Sequence, residues 1–343
     1  MSKVEAPQVS QIEVLALGLD SPRKLSFGSD RALYVAEAGR GGTGFSIPSP
    51  SVPDAFLTIS ADGDLADVYY PVVPNLTADQ LPIALMLQGA LMDKSDYSNY
   101  AAEVANYAAE VASYGFVVVV PNNEQSLIEP PESPEPLLTG LLADEQQVND
   151  VLAQMMEDAD TNSSIFEIVD TSKLGLLGHS LGGYAGLAAI QNINDPAVSS
   201  GDHTRPPELK AGIFYGTNFQ TAPNSGVFPA IDNQGIPVGL IAGTLDGVAD
   251  LGEVASTYVK IQDPPKVLIA IEGANRYSIT NTDNLSRDPN RPTLDQATAT
   301  GAIGRWSVLF LRSHLLGDQD AFNYVYNTGG DLDPNVGVIS QTL

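Results

Sequence analysis

Residues 173–190 constrain the fold of this chain more than any other stretch. Lys173-Leu-Gly-Leu-Leu-Gly-His-Ser-Leu-Gly-Gly-Tyr184 opens with a short apolar run, passes through Gly178-His179-Ser180-Leu181-Gly182 and continues in small residues to Ile190. The pattern predicts a buried strand, a sharp turn and a helix. Gly178 and Gly182 are expected where the strand and helix backbones approach too closely for side chains. Ser180 then stands in the turn, with its hydroxyl at the head of the helix.

G-x-S-x-G between a buried strand and a helix resembles the nucleophile elbow of α/β-hydrolases, whose catalytic order is Ser, Asp or Glu, then His. A serine hydroxyl attacks only when a base takes its proton, and the base needs an acid to orient it. Asp246, in Leu240-Ile-Ala-Gly-Thr-Leu-Asp246, follows an apolar strand pattern and is the acid candidate. Asp250 lies four residues on, at the mouth of a predicted helix, and reads as an N-terminal helix charge. Two N–H donors must hold the oxyanion. The expected pair is the Leu181 amide and the Ala90 amide, the latter in the turn Gln88-Gly89-Ala90 after the apolar run Pro82–Leu87. His179 is expected to pack beside the elbow.

The expected base position holds no histidine. In Glu272-Gly-Ala-Asn-Arg-Tyr277, after the strand pattern Lys266–Ile271, the pattern of related hydrolases places the histidine where Arg276 stands. A guanidinium stays protonated near neutral pH and cannot act as a general base. The chain has three histidines. Besides His179 there are His203, in a polar stretch read as a solvated loop, and His314, on a helix expected to pack on the outer face of the sheet. Arg276 is thus a replacement of the base, a loss of hydrolase activity, or the mark of a site that recruits another base.

Bulk properties bound the rest. The chain has 343 residues, 43% of them hydrophobic, enough for a large α/β domain with an appendage. Its 42 acidic and 16 basic residues give a formal charge of -26, which disfavours nucleic acid and anionic membranes as partners. The carboxylates are dispersed without calcium-loop spacing. There are no cysteines, which excludes disulfides, thiolate metal sites and a cysteine nucleophile. No transmembrane segment or signal peptide is read, so a soluble chain is expected, cytoplasmic or peripheral to a membrane.

Along the chain, residues 1–51 read as an N-terminal β extension and linker, and residues 52–343 as the α/β domain. Strand patterns at 12–17, 24–27 and 32–36 resemble a fragment of an NHL-like β-propeller blade. A single fragment cannot close a propeller, so no propeller function follows. Patterns at 55–60 and 67–73 predict an antiparallel pair. Tyrosines at 97, 100, 107 and 114, with Val104 and Val111, predict an amphipathic helix, within which Asn99–Ala105 is repeated as Asn106–Ala112. Residues 122–136, with four prolines, read as a long loop, and 140–160 as a helix with Leu141, Val148, Val151, Leu152, Met155 and Met156 inward. Strands at 211–215, 237–242 and 266–271, the last of the sheet, and helices at 250–260 and 300–316 complete a mostly parallel sheet with helices on both faces.

The stretches Pro82-Ile-Ala-Leu-Met-Leu-Gln-Gly-Ala-Leu-Met-Asp-Lys-Ser-Asp-Tyr97 and Ala112-Ser-Tyr-Gly-Phe-Val-Val-Val-Val-Pro121, with the Gly-His-Ser-Leu-Gly-Gly box, are similar to chlorophyllases, and with the leader to their cyanobacterial branch. The resemblance implies an α/β-hydrolase fold and hydrolysis of the phytyl ester of chlorophyll, an apolar ester, without cofactor or metal. It also suggests a location in the cytoplasm or beside photosynthetic membranes. Plant members carry their acid in a segment matching Ile213–Asn218, which has none here, and Asp246 keeps that role, as in bacterial polyester hydrolases and lipases. Two alternatives stand beside it: a general carboxylesterase, lipase or polyesterase, and a non-catalytic binding protein that keeps an apolar ester pocket.

Overall fold

In a computed structural model the chain divides into two compact units, Met1–Phe45 and Ser46–Leu343. The structure describes residues 22–27, 33–37, 56–61, 64–71, 81–98, 106–128, 136–161, 168–199, 201, 203–222 and 225–342. In the first unit, β1 (Pro22–Phe27) and β2 (Leu33–Glu37) pair antiparallel, with Leu25 opposite Val35. The strand expected at 12–17 lies outside the described residues.

Among the described residues the second unit is built on a nine-stranded sheet. It begins with the expected antiparallel pair, β3 (Phe56–Ala61) and β4 (Asp64–Tyr69). The centre is parallel: β5 (Leu81–Leu87), β6 (Val117–Pro121), β9 (Val169–His179), β10 (Leu209–Tyr215), β11 (Val238–Gly243) and β12 (Lys266–Ile271). With the remaining strand β13 (Val336–Gln341), the order across the sheet is β13-β12-β11-β10-β9-β5-β6-β4-β3. The apolar runs become central because strands covered on both faces need an apolar residue at every position. Accordingly β5, β6 and β11 are buried from end to end.

Helices cover both faces. Leu85, Leu176 and Leu240 pack on one side with residues of α2 (Gln146–Thr161), α3 (Leu181–Gln191) and α4 (Leu251–Lys260). Ala84, Leu177 and Ile241 pack on the other with residues of α1 (Tyr107–Ser113) and α5 (Gln296–Leu311). The protein is therefore α/β with a mostly parallel central sheet. No helix among the described residues is long and apolar enough to cross a membrane.

Several expectations need correction. The tyrosine helix is shorter than its periodicity suggests: α1 starts at Tyr107, capped by the Asn106 side chain, which accepts from the Ala109 amide at 3.0 Å. The first copy of the repeat lies outside the described residues, and Tyr97 follows a separate 3₁₀ turn, Lys94–Asp96. The proline-rich loop contains strand β7 (Glu124–Ile128), which pairs with β8 (Pro136–Leu141). Leu141 therefore belongs to a strand, and Met156 is exposed. The sheet does not end at β12. After α5 the chain turns through a π-helical stretch, Arg312–Leu316, and two short helices, α6 (Gln319–Asn323) and α7 (Gly329–Leu332), and returns as β13, antiparallel to β12.

Candidate active site

The topology gathers the candidate residues at one edge of the sheet. The carboxyl ends of β5, β9, β10, β11 and β12 lead respectively into Gln88-Gly89-Ala90, Ser180, Gly216, Asp246 and Arg276. The open carboxyl edge of a parallel sheet is the usual ligand side of such folds.

Ser180 occupies the sharp turn between β9 and α3 at φ 58° and ψ −118°, a conformation that non-glycine residues adopt only under constraint. Its amide donates to the Tyr215 carbonyl at 3.0 Å, and its carbonyl accepts from Thr217 Oγ1 at 3.0 Å. A Cβ at Gly182 would lie 2.1 Å from the Leu87 carbonyl oxygen, and one at Gly178 2.8 Å from the Gly182 backbone. Gly178 therefore lets the end of β9 meet the head of α3, as the spacing predicts, and Gly182 lets that head press against the end of β5. This contact also brings the turn after β5 against the elbow.

In that turn the flanking amides are engaged: Gly89 N–H donates to Tyr97 Oη at 2.9 Å, and Leu91 N–H to the Leu141 carbonyl at 2.6 Å. The Ala90 amide between them, and the Leu181 amide at the first position of α3, have no acceptor among the described residues. Leu91 carries a positive φ of 56°. Arg287 clasps the turn from outside, Nη2 donating to the Ala90 carbonyl at 2.8 Å.

Arg276 lies between acid and nucleophile. Its Nη1 donates to Asp246 Oδ2 at 3.2 Å and to the Gly216 carbonyl at 3.2 Å, while its Nη2 donates to Ser180 Oγ. Gly216, at φ +57°, leaves room for this approach, since a Cβ there would meet Asp246 Oδ2 at 2.9 Å. The Asp246 side chain is wholly buried, and its Oδ1 accepts from the amides of Val248 and Ala249 at 2.8 and 2.9 Å. Burial raises its pKa, and the Arg276 charge and those two amides oppose the rise. Asp250 instead caps α4, accepting from the Glu253 amide at 2.9 Å, the helix-charge role expected of it.

The histidines lie elsewhere. His179 is buried beside the elbow, its Nδ1 2.9 Å from Tyr97 Oη. The same phenol accepts from the Gly89 amide, so Tyr97 bridges the turn after β5 and the elbow histidine. Burial, then the nearby Arg276 charge, hold the His179 pKa well below the ordinary histidine range, so the ring is neutral. His203, expected in solvated loop, is buried instead: its Nδ1 lies 3.3 Å from Asn149 Nδ2 and its Nε2 3.4 Å from the Ala189 carbonyl, tying the ends of α2 and α3. His314 packs among Phe310, Phe322 and Tyr326, with Nε2 2.9 Å from Tyr326 Oη, and burial lowers its pKa to about 4.

Two supporting residues have no motif to announce them. Tyr97 reads as one of a core stripe, yet it fixes both Gly89 and His179. Asp288, fully buried, accepts through Oδ2 from the Arg276 amide at 3.2 Å and the Gly247 amide at 3.3 Å, joining the loop that follows β12 to the turn that carries Asp246. Among the described residues no cluster of three or more histidines or carboxylates is arranged to hold a metal ion. Comparison of the sequence with protein-family models gives no match, and comparison with curated proteins gives none.

Proposed function

We propose that this chain has the α/β-hydrolase fold and carries a serine carboxylic-ester hydrolase site of the chlorophyllase-like type, held almost inactive because Arg276 stands where the general base belongs. The observation that carries the reading is the continuous path Asp246–Arg276–Ser180, an acid and a strained elbow serine joined through the residue between them. Ser180 is the nucleophile, Asp246 the orienting acid, and the Leu181 and Ala90 amides the oxyanion donors. The substrate is an apolar ester, and the chlorophyllase resemblance makes it the phytyl ester of chlorophyll.

Arg276 cannot remove the Ser180 proton. An imidazole in its place, with one nitrogen toward Asp246 and the other toward Ser180, would complete the proton path. The test is Arg276→His, assayed on a short-chain nitrophenyl ester and on chlorophyll a. Turnover is expected to rise by about 10²-fold or more, the ordinary contribution of a positioned base, and to vanish on adding Ser180→Ala. Release of chlorophyllide separates a chlorophyllase from a general carboxylesterase. No gain on either substrate overturns the reading.

A further inference from the structure

In a working serine hydrolase the Ser hydroxyl donates its hydrogen to the base. Here the polarity is reversed, because Arg276 has only N–H groups to offer and Nη2 donates to Ser180 Oγ. The Ser180 hydrogen must therefore point away from Arg276, and no acceptor for it occurs among the described residues. Nη2 carries a second hydrogen, also without an acceptor among them. Beside these stand the unengaged amides of Leu181 and Ala90. Ser180, Leu181 and Ala90 are each only partly buried, whereas Arg276 is buried. The nearest carboxylate, Asp246, has a fully buried side chain and is turned onto Arg276 and the amides of Val248 and Ala249. Asp288 is likewise buried and faces backbone N–H groups. The other charged group at the turn, Arg287, is a cation.

We infer that the Ser180 centre of this chain binds a free carboxylate, that of an apolar carboxylic acid, in preference to a carboxylic ester. A centre that offers only donors, backed by a guanidinium, complements two anionic oxygens. An ester has a single good acceptor oxygen and no charge, and leaves part of this donor set unpaired. The inference rests on the reading of Ser180 as the ligand centre, and not on any turnover there. With a formal charge of -26, the surface as a whole repels anions, so saturable anion binding would report a local site.

The test is calorimetric titration of the full chain with hexanoate and with methyl hexanoate at neutral pH. Hexanoate is expected to bind at least about tenfold more tightly, as charge-assisted hydrogen bonds exceed neutral ones, and to weaken below about pH 5 as the acid is protonated. Ser180→Ala keeps the Arg276–Asp246 pair and is expected to weaken hexanoate several-fold. Arg276→His is expected to abolish the preference for the acid. Equal or tighter binding of the ester, no saturable binding of hexanoate, or a preference unchanged in both variants would overturn the inference. Recovery of turnover in Arg276→His is read separately. The hydrolase reading can thus fail while the carboxylate preference stands, and the reverse.

Discussion

Arg276 Nη1 lies 3.2 Å from Oδ2 of Asp246, whose side chain has no exposed surface. The pair is a buried ion pair, and removing one partner strands the other charge. Arg276→Met is therefore expected to cost about 3–5 kcal/mol of stability at neutral pH. Without the guanidinium, burial drives the Asp246 pKa further up, so the native state takes up a proton more readily than the unfolded chain. The deficit then shrinks as pH falls, because stability rises toward acid wherever the native state binds more protons. Urea unfolding of parent and variant between neutral pH and pH 4 measures this, and a deficit independent of pH would count against an unpaired Asp246.

Tyr97 links the oxyanion turn to the elbow, accepting from Gly89 and sharing a hydrogen bond with His179 Nδ1, both at 2.9 Å. Tyr97→Phe keeps the ring and leaves a buried amide and a ring nitrogen unpaired, at a cost of roughly 1–3 kcal/mol. A denaturation midpoint unchanged from the parent would show that another group takes over the bonds.

Glu145 is fully buried and accepts from the Asp195 amide at 2.8 Å, while burial and the neighbouring Asp195 and Asp144 carboxylates push its pKa up to about 7. Its folded pKa thus lies above the ordinary glutamate value of 4.5. For a carboxyl raised in this way, the native state binds more protons between the two values, so stability is gained as pH falls from about 7 to 4.5 and lost as pH rises through 7. Glu145→Gln is expected to be more stable than the parent at pH 8 by roughly 1–3 kcal/mol, with the difference vanishing near pH 4.5. Thermal unfolding across this range checks it; a variant equally or less stable at pH 8 contradicts it.

What the chain displayed in advance depended on whether a residue's role is local. The elbow is local: its glycines sit within two residues of Ser180, and Gly178 abuts the Gly182–Gly183 backbone within the turn itself. The acid turn and the Arg276 loop each follow an apolar strand run, so their place at the carboxyl edge could be read from the pattern. Tyr97 and Asp288 could not, because their partners are set by tertiary contact: His179 lies 82 residues from Tyr97 in sequence. His203 sits in a polar stretch, but contacts with Asn149 and Ala189 bury it. β13 does not stand out in the sequence because its pattern, Val336-Gly-Val-Ile-Ser-Gln341, is that of an edge strand, mostly exposed and without a continuous apolar run.

The account turns on whether Ser180 is a nucleophile that lacks only its base, and reaction with a fluorophosphonate, followed by intact-protein mass and peptide mapping, tests this most directly. The parent chain is expected to label slowly, and Arg276→His to take up one equivalent at Ser180 at least about 10²-fold faster, the contribution expected of a positioned base. Equal rates in the two chains, or label at a residue other than Ser180, would contradict it.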